Sequence, residues 1–379
     1  MIYFDNAATT KPYPETVKTY ADLSLGLLGN SSAANGLGTV CAEYLEKARQ
    51  QIQNSLHASG FELYFTSGAT ESNNEAILGY ARRHKKEGKR VITSQGEHAS
   101  VLNVFEELEK EGFEVIYLPL ASDGSLPLTE LEQAVNQETI LVSLMWVNNE
   151  IGTIYPIADF ASYVHAHSSA AFMSDLTQAL GKTAIDFSCL DFFTMSGHKV
   201  GGLKSSGLLG VRQGLVLDPI FYGGGQEGGE RPGTVNVPLA CSLATALRIN
   251  SATQPAREKK ASALYAYLFK ELSQLKEDVK VLSGTGASQC PFILNFALLR
   301  QKASVVVEAL SKKEIYVSTR SACSSHSKGG STVIKAMGYP EDIYQNAIRL
   351  SFEGSEDIEQ GEQFIKALKE LLLTLKERS

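Results

Sequence analysis

The chain is 379 residues long, past the size at which a single hydrophobic core stops growing, so two domains or one large domain with a satellite are expected. Hydrophobic residues make up 43% and charged residues 20%, the balance of a globular protein with a sizeable core and not of a disordered or fibrous one. Against 42 acidic residues stand 35 basic ones, and the formal net charge of -7 argues against a broad phosphate-backbone footprint, so no direct nucleic-acid binding is expected.

The longest apolar run, near Ile140 to Val147, falls far short of the roughly 20 residues that a membrane helix needs. The opening Met1-Ile2-Tyr3-Phe4-Asp5 has neither a basic flank nor a cleavable apolar stretch, so a cytoplasmic location is the expectation. Five cysteines, at 41, 189, 241, 290 and 323, form no CxxC pair, and an odd count fits poorly with a disulfide framework. The seven histidines do not join them at structural-zinc spacing, so no metal site is expected.

Taken in chain order, Val40, Tyr44, Leu45, Ala48, Ile52 and Leu56 fall on one face of a helix. Short apolar strands follow at 63–66, 91–93, 114–118, 140–145, 171–174 and 192–195, with helical stretches between them. This alternation predicts an α/β fold of repeated βαβ units around a mostly parallel sheet. An apolar helix at 239–249 gives way to a polar, Pro-containing stretch at 250–260, which places a domain boundary there. The expected large domain is 13–254, and residues 1–12 with 255–379 form the smaller one. A helix over 259–275, an apolar strand over 292–296 and a last amphipathic helix from about Ile358 complete the smaller domain. Ser355 is the expected N-cap of that last helix.

The unusual residues collect at the carboxyl ends of the predicted parallel strands, where open α/β sheets bind ligands. After 63–66 comes Ser67-Gly68-Ala69-Thr70-Glu71-Ser72, which reads either as a capping turn or as a helix start offering N–H groups to a phosphate. The strand at 171–174 leads into Asp175 and Gln178, and the strand at 192–195 into Ser196-Gly197-His198-Lys199. Singly, an acid or a lysine at a strand end is a surface group. Together they are the pair that pyridoxal phosphate requires, a lysine for a Schiff base and a carboxylate for the pyridinium nitrogen. Ser196 and His198 could add donors to the phosphate.

His98 in Gly96-Glu97-His98 would lie at the same sheet edge and could stack on the ring and shuttle protons. Asn149 in Val147-Asn148-Asn149-Glu150 could bond the ring hydroxyl, or simply serve a turn. The glycine-rich run 223–229 lacks the strand-to-helix context of a dinucleotide loop and reads as a flexible connection. Cys323 sits in Ser321-Ala322-Cys323-Ser324-Ser325-His326, a stretch almost without large apolar groups. Arg320, His326 and Lys328 beside it could lower its thiol pKa, and the other four cysteines read as small buried hydrophobes.

The ordered motifs YFDNAATT, FTSGATESNNEAI, GEH, VNNEIGTIYPI, DLTQALGK, SGHK, GGGQE with RPGT, SAC and AIRLSF resemble the cysteine desulfurases, a family within the class V aminotransferases. The resemblance runs nearly end to end. It implies the pyridoxal-phosphate-dependent transferase fold type I, like aspartate aminotransferase, with a mostly parallel large domain and a smaller α+β domain. It makes Lys199 the Schiff-base lysine, Asp175 the partner of the ring nitrogen and His98 the stacked acid/base. Ala69, Thr70, Ser196 and His198 go to the phosphate, and Asn149 and Gln178 to the ring hydroxyl region. Thr234 would reach the phosphate of a neighbouring subunit, which implies a homodimer, and Arg349 would hold the substrate carboxylate. Cys323 would take sulfur from L-cysteine as a persulfide, leaving L-alanine, and pass it to an acceptor protein of iron-sulfur cluster assembly or tRNA thiolation.

Ser31, Asn35 and Arg320 depart from the family's usual residues. Two other readings share much of the pattern. Another class V enzyme, an aminotransferase or selenocysteine lyase, would use the same lysine and aspartate, and a non-catalytic sulfur-delivery scaffold would keep the fold alone.

Overall fold

The computed structural model describes residues 1–319 and 330–376. The chain opens with a two-residue strand, β1 (Ile2–Tyr3), and two helices, α1 (Pro14–Gly26) and α2 (Gly36–Leu56). Cys41, Leu45, Ala48, Ile52 and Leu56 are buried along one face of α2, as their spacing predicts. Asn35, one of the departures from the family pattern, is its N-cap: Oδ1 accepts the N–H of Gly38 at 3.0 Å.

A seven-stranded sheet follows, built from β2 (Phe61–Thr66), β3 (Arg90–Ser94), β4 (Glu114–Leu118), β5 (Thr139–Ser143), β6 (Ala171–Asp175), β7 (Phe192–Ser196) and β8 (Gly207–Arg212). Its order is β2-β8-β7-β6-β5-β3-β4. The five strands from β7 to β4 are parallel, while β8 runs antiparallel to both β7 and β2. Helices cover both faces: α3 (Ala69–Arg83), α4 (Ala99–Lys110), α5 (Leu128–Ala134) and α6 (Ile157–His167) alternate with the strands. Adjacent residues feed opposite cores. Val91, Leu141 and Phe192 pack with α3 and α4, while their neighbours Ile92, Val142 and Phe193 pack on the other side. Burial on both faces is why these strands read as continuous apolar runs.

The expected helices at 239–249 and 259–275 are one helix, α7 (Val237–Gln274), with Pro255 inside it and the boundary at 254/255 falling mid-helix. An interior proline costs about 3 kcal/mol. The halves on either side bury Leu243 and Leu247 in one core and Leu264, Leu268 and Leu272 in another. At roughly 1.5–3 kcal/mol per buried side chain, that burial outweighs the proline.

Beyond α7 an antiparallel sheet runs in the order β12-β10-β9, from β9 (Val279–Val281), β10 (Ile293–Leu298) and β12 (Ala347–Ser351). The strand β11 (Ile315–Tyr316) pairs in parallel with β1, so the first residues of the chain join this region. Helices α8 (Ala303–Ser311), α9 (Thr332–Ala336), α10 (Glu341–Tyr344) and α11 (Ile358–Lys376) complete it. The N-cap of α11 is Asp357, not Ser355. Asp357 Oδ1 accepts the N–H of Gln360 at 3.0 Å, and Gln360 Oε1 accepts the N–H of Asp357 at 3.1 Å, a reciprocal cap that Ser355 cannot make.

The glycine-rich run is not a free connection either. Glu227 is buried, pairs with Arg49 and accepts the backbone N–H of Phe65 at 3.0 Å, tying the run to the edge strand β2.

Candidate active site

A cavity opens at the carboxyl ends of the parallel strands, where open α/β sheets bind ligands. All the residues expected at the site line it, apart from Thr234 and Cys323. Thr234 is exposed outside the cavity. Cys323 lies outside the described residues.

One end of the cavity suits an anion. Ala69 and Thr70 open α3, whose first N–H groups have no partner within the helix. Ser196 Oγ accepts the N–H of Ala69 at 2.8 Å and keeps its own proton to donate. Gly207 on β8 permits this approach, since a Cβ there would lie 2.4 Å from the Gly68 Cα. His198 Nδ1 lies 3.1 Å from Thr9 Oγ1. Burial, with the charges of Lys199 and Lys204 adding to it, pushes the His198 imidazole down to about 4, so it is neutral at physiological pH.

The middle of the cavity is set by strand ends. Asp175 closes β6, with the N–H of Thr177 on Oδ1 at 2.9 Å and the amide of Asn73 on Oδ2 at 3.0 Å. Lys199 follows β7 and donates from Nζ to the carbonyls of Ala7 at 2.5 Å and Ala8 at 2.7 Å. His98 caps α4. Beneath it Glu97 is fully buried, accepts from the N–H of Met145 at 2.9 Å and from Ser94 Oγ at 2.9 Å, and is pushed up to about 8 by burial.

Gln178 donates to the Ala7 carbonyl at 3.0 Å and accepts from Lys182, a buried lysine whose ammonium is pushed down to about 8 by desolvation.

Arg349, on β12, faces the cavity from the other side. Its Nη1 donates to the Asn149 carbonyl at 2.8 Å and its Nη2 to Asp5 Oδ1 at 3.1 Å. Burial raises the Asp5 carboxyl above its ordinary value, and the Arg349 guanidinium opposes that shift. Three buried polar atoms of the lining have no partner among the described residues: Arg349 Nε, Asn149 Oδ1 and Thr177 Oγ1. An unsatisfied buried group costs about 1–3 kcal/mol, and these three border one cavity, which suits a ligand carrying both an anionic group and ring polar atoms. The donor set thus fits pyridoxal phosphate and an amino-acid carboxylate.

Sequence reasoning passed over several of these residues. The carbonyls of Ala7 and Ala8 are backbone and leave no side-chain signal, although the motif YFDNAATT contains them. Asp5, Asn73 and Lys182 each lie inside a quoted motif without a role given to them.

A lysine after β7 and an aspartate ending β6 face one cavity at the strand ends, an arrangement that suits a class V aminotransferase. The model of that family matches residues 2–364. A relative from Lactobacillus delbrueckii subsp. bulgaricus, named NifS/IcsS protein homolog, is 39% identical over 374 residues, covering 98% of this chain and 97% of its own. Another from Methanosarcina thermophila, named cysteine desulfurase IscS, is 34% identical over 380 residues, covering 100% of this chain and 93% of its own. A solved structure described as a NifS-like protein superposes with a TM-score of 0.91 at 32% identity, over 98% of this chain and 99% of that one. The chain belongs to the class V aminotransferase family and, within it, to the cysteine desulfurases.

No helix among the described residues is long and apolar enough to cross a membrane.

Proposed function

We infer that the chain converts L-cysteine to L-alanine with pyridoxal phosphate as cofactor, moving the sulfur to Cys323 as a persulfide and from there to an acceptor protein. The observation that carries this reading is the convergence of Lys199, Asp175, His98 and Arg349 on one cavity. When bound, pyridoxal phosphate supplies an electron-poor ring that takes up the electron pair released at the substrate alpha carbon. Lys199 would hold it covalently, and Asp175 would keep its ring nitrogen protonated. Asn149 and Gln178 would meet the ring hydroxyl. Ala69, Thr70, Ser196 and His198 would take the phosphate, joined by Thr234 of a second copy in a homodimer.

Arg349 orients the substrate by its carboxylate, with the Nε proton left unspent by Asp5 and Asn149. His98, which lines the cavity, exchanges a proton with the substrate. The Cys323 thiolate attacks the substrate sulfur, the carbon–sulfur bond breaks with its electron pair going to carbon, and protonation there gives alanine. In this reading residues 13–254 bind the cofactor, and residues 1–12 with 255–379 carry Arg349 and Cys323. Cytoplasmic location and delivery to iron-sulfur assembly or tRNA thiolation complete the proposal.

Incubation with L-cysteine, followed by alanine quantification and mass analysis of Cys323, tests it. Stoichiometric alanine and a persulfide on Cys323, both lost in Lys199→Ala, are expected. Absence of alanine, or full sulfur transfer by Cys323→Ala, overturns it, and pyruvate from an alanine donor without need of Cys323 points to an aminotransferase.

A further inference from the structure

Asn73 sits in the second turn of α3, fully buried, with every polar atom of its amide used. Thr194 Oγ1 donates to its Oδ1 at 2.6 Å, and the Nδ2 hydrogens go to Asp175 Oδ2 at 3.0 Å and Ser100 Oγ at 2.9 Å. The opposite amide orientation would set Oδ1 against the Asp175 carboxylate, two acceptors with no proton between them. Chemistry therefore fixes which end of the amide faces Ser100.

Ser100 Oγ, having accepted from Asn73, turns its own proton to His98 Nδ1 at 2.8 Å. The backbone N–H of Ser100 donates to the same nitrogen at 3.1 Å, so His98 is the N-cap of α4 through its ring. A nitrogen that receives two donors has no room for a proton of its own. Nε2 makes no hydrogen bond among the described residues, and the ring lines the cavity.

We propose that Asn73 and Ser100 are positioning residues that hold His98 as its Nε2–H tautomer and tie it to Asp175, so that His98 meets the substrate as a hydrogen-bond donor. This deepens the desulfurase reading and rests on it for the identity of the substrate. The edge that exchanges a proton is Nε2, and it starts loaded. Order along the chain is set by Asp175, which can only accept while ionised: its carboxylate orients Asn73, Asn73 orients Ser100, and Ser100 orients the imidazole.

The test is selective nitrogen-15 labelling of histidine in the holoenzyme, with the His98 ring assigned by its loss in His98→Gln. Wild type and Ser100→Thr, which keeps a hydroxyl, are expected to show Nδ1 in the unprotonated range and Nε2 in the protonated range. Ser100→Ala, which leaves only the longer backbone N–H bond on Nδ1, is expected to admit a measurable share of the other tautomer and to show a fall in kcat for alanine formation of about tenfold, the worth of one hydrogen bond, with KM unchanged and recovery in Ser100→Thr. A wild-type ring protonated on Nδ1, or a Ser100→Ala ring and kcat indistinguishable from wild type, overturns the proposal. Because the tautomer is read without turnover, an enzyme that makes no alanine but keeps Nε2–H would sink the desulfurase reading and leave this assignment standing.

Discussion

The floor and the rim of the cavity are built on opposite rules. On the floor, a chain of hydrogen bonds runs from Thr194 through Asn73 to Asp175 and Ser100 and on to His98, and Asn73 has nothing left to give. On the rim, Arg349 Nε and Asn149 Oδ1 are buried and unpartnered. A satisfied network holds its members in one geometry, whereas an unsatisfied one waits for a ligand to complete it. The difference separates atoms already committed to the fold from atoms left for a ligand.

Substitutions can break that distinction. The largest effect is expected at Lys199, which both regions surround: Lys199→Ala should lower alanine formation by on the order of a thousandfold or more while leaving thermal unfolding near wild type. At the rim, Arg349→Ala should raise KM for cysteine by about 10- to 100-fold, the worth of a charged hydrogen bond, and Arg349→Lys by less. At the floor, Asn73→Ala leaves Asp175, Ser100 and Thr194 short of partners and should cost about 2–3 kcal/mol in urea unfolding. If Arg349→Ala leaves KM for cysteine unchanged and Asn73→Ala only raises KM, the contrast is wrong.

Two titrations sharpen it further. The folded-state pKa of His198 lies at about 4 against an ordinary 6.5, so between those values the unfolded chain binds the extra proton. Stability should therefore fall as pH drops through this window, and His198→Gln should flatten the fall. Glu97 shifts the other way, to about 8 from 4.5, so the folded state holds a proton that the unfolded chain has lost. Its contribution is present at low pH and lost as pH rises toward about 8. Glu97→Gln, which mimics the protonated acid, should show the smallest change of all at acidic pH and a gain in stability near the upper end of the window.

The sheet was legible because the inner parallel strands β3, β5, β6 and β7 are buried on both faces and so read as apolar runs, and its ends carried Asp175, His98 and Lys199 into view. Strand β8 escaped, since Gly207 and Gly210 dilute its apolar signal and exist to let Gly68 and Phe193 approach. Asn73 escaped for a different reason. A polar residue one turn into a helix looks like surface, and only the packing of α3 over β7 and β8 turns it inward. Pro255 argued for a break that packing on both sides overrode. Cys323 rests on the resemblance, as it lies outside the described residues.

Helix α7, at 1.5 Å per residue over 38 residues, is a rod of about 57 Å whose two halves belong to different cores. Neither core can melt without fraying a helix that the other needs. The molecule should then lose structure in one concerted event rather than in stages, and a lesion on the sheet side would be felt as far away as the wall that carries Arg349.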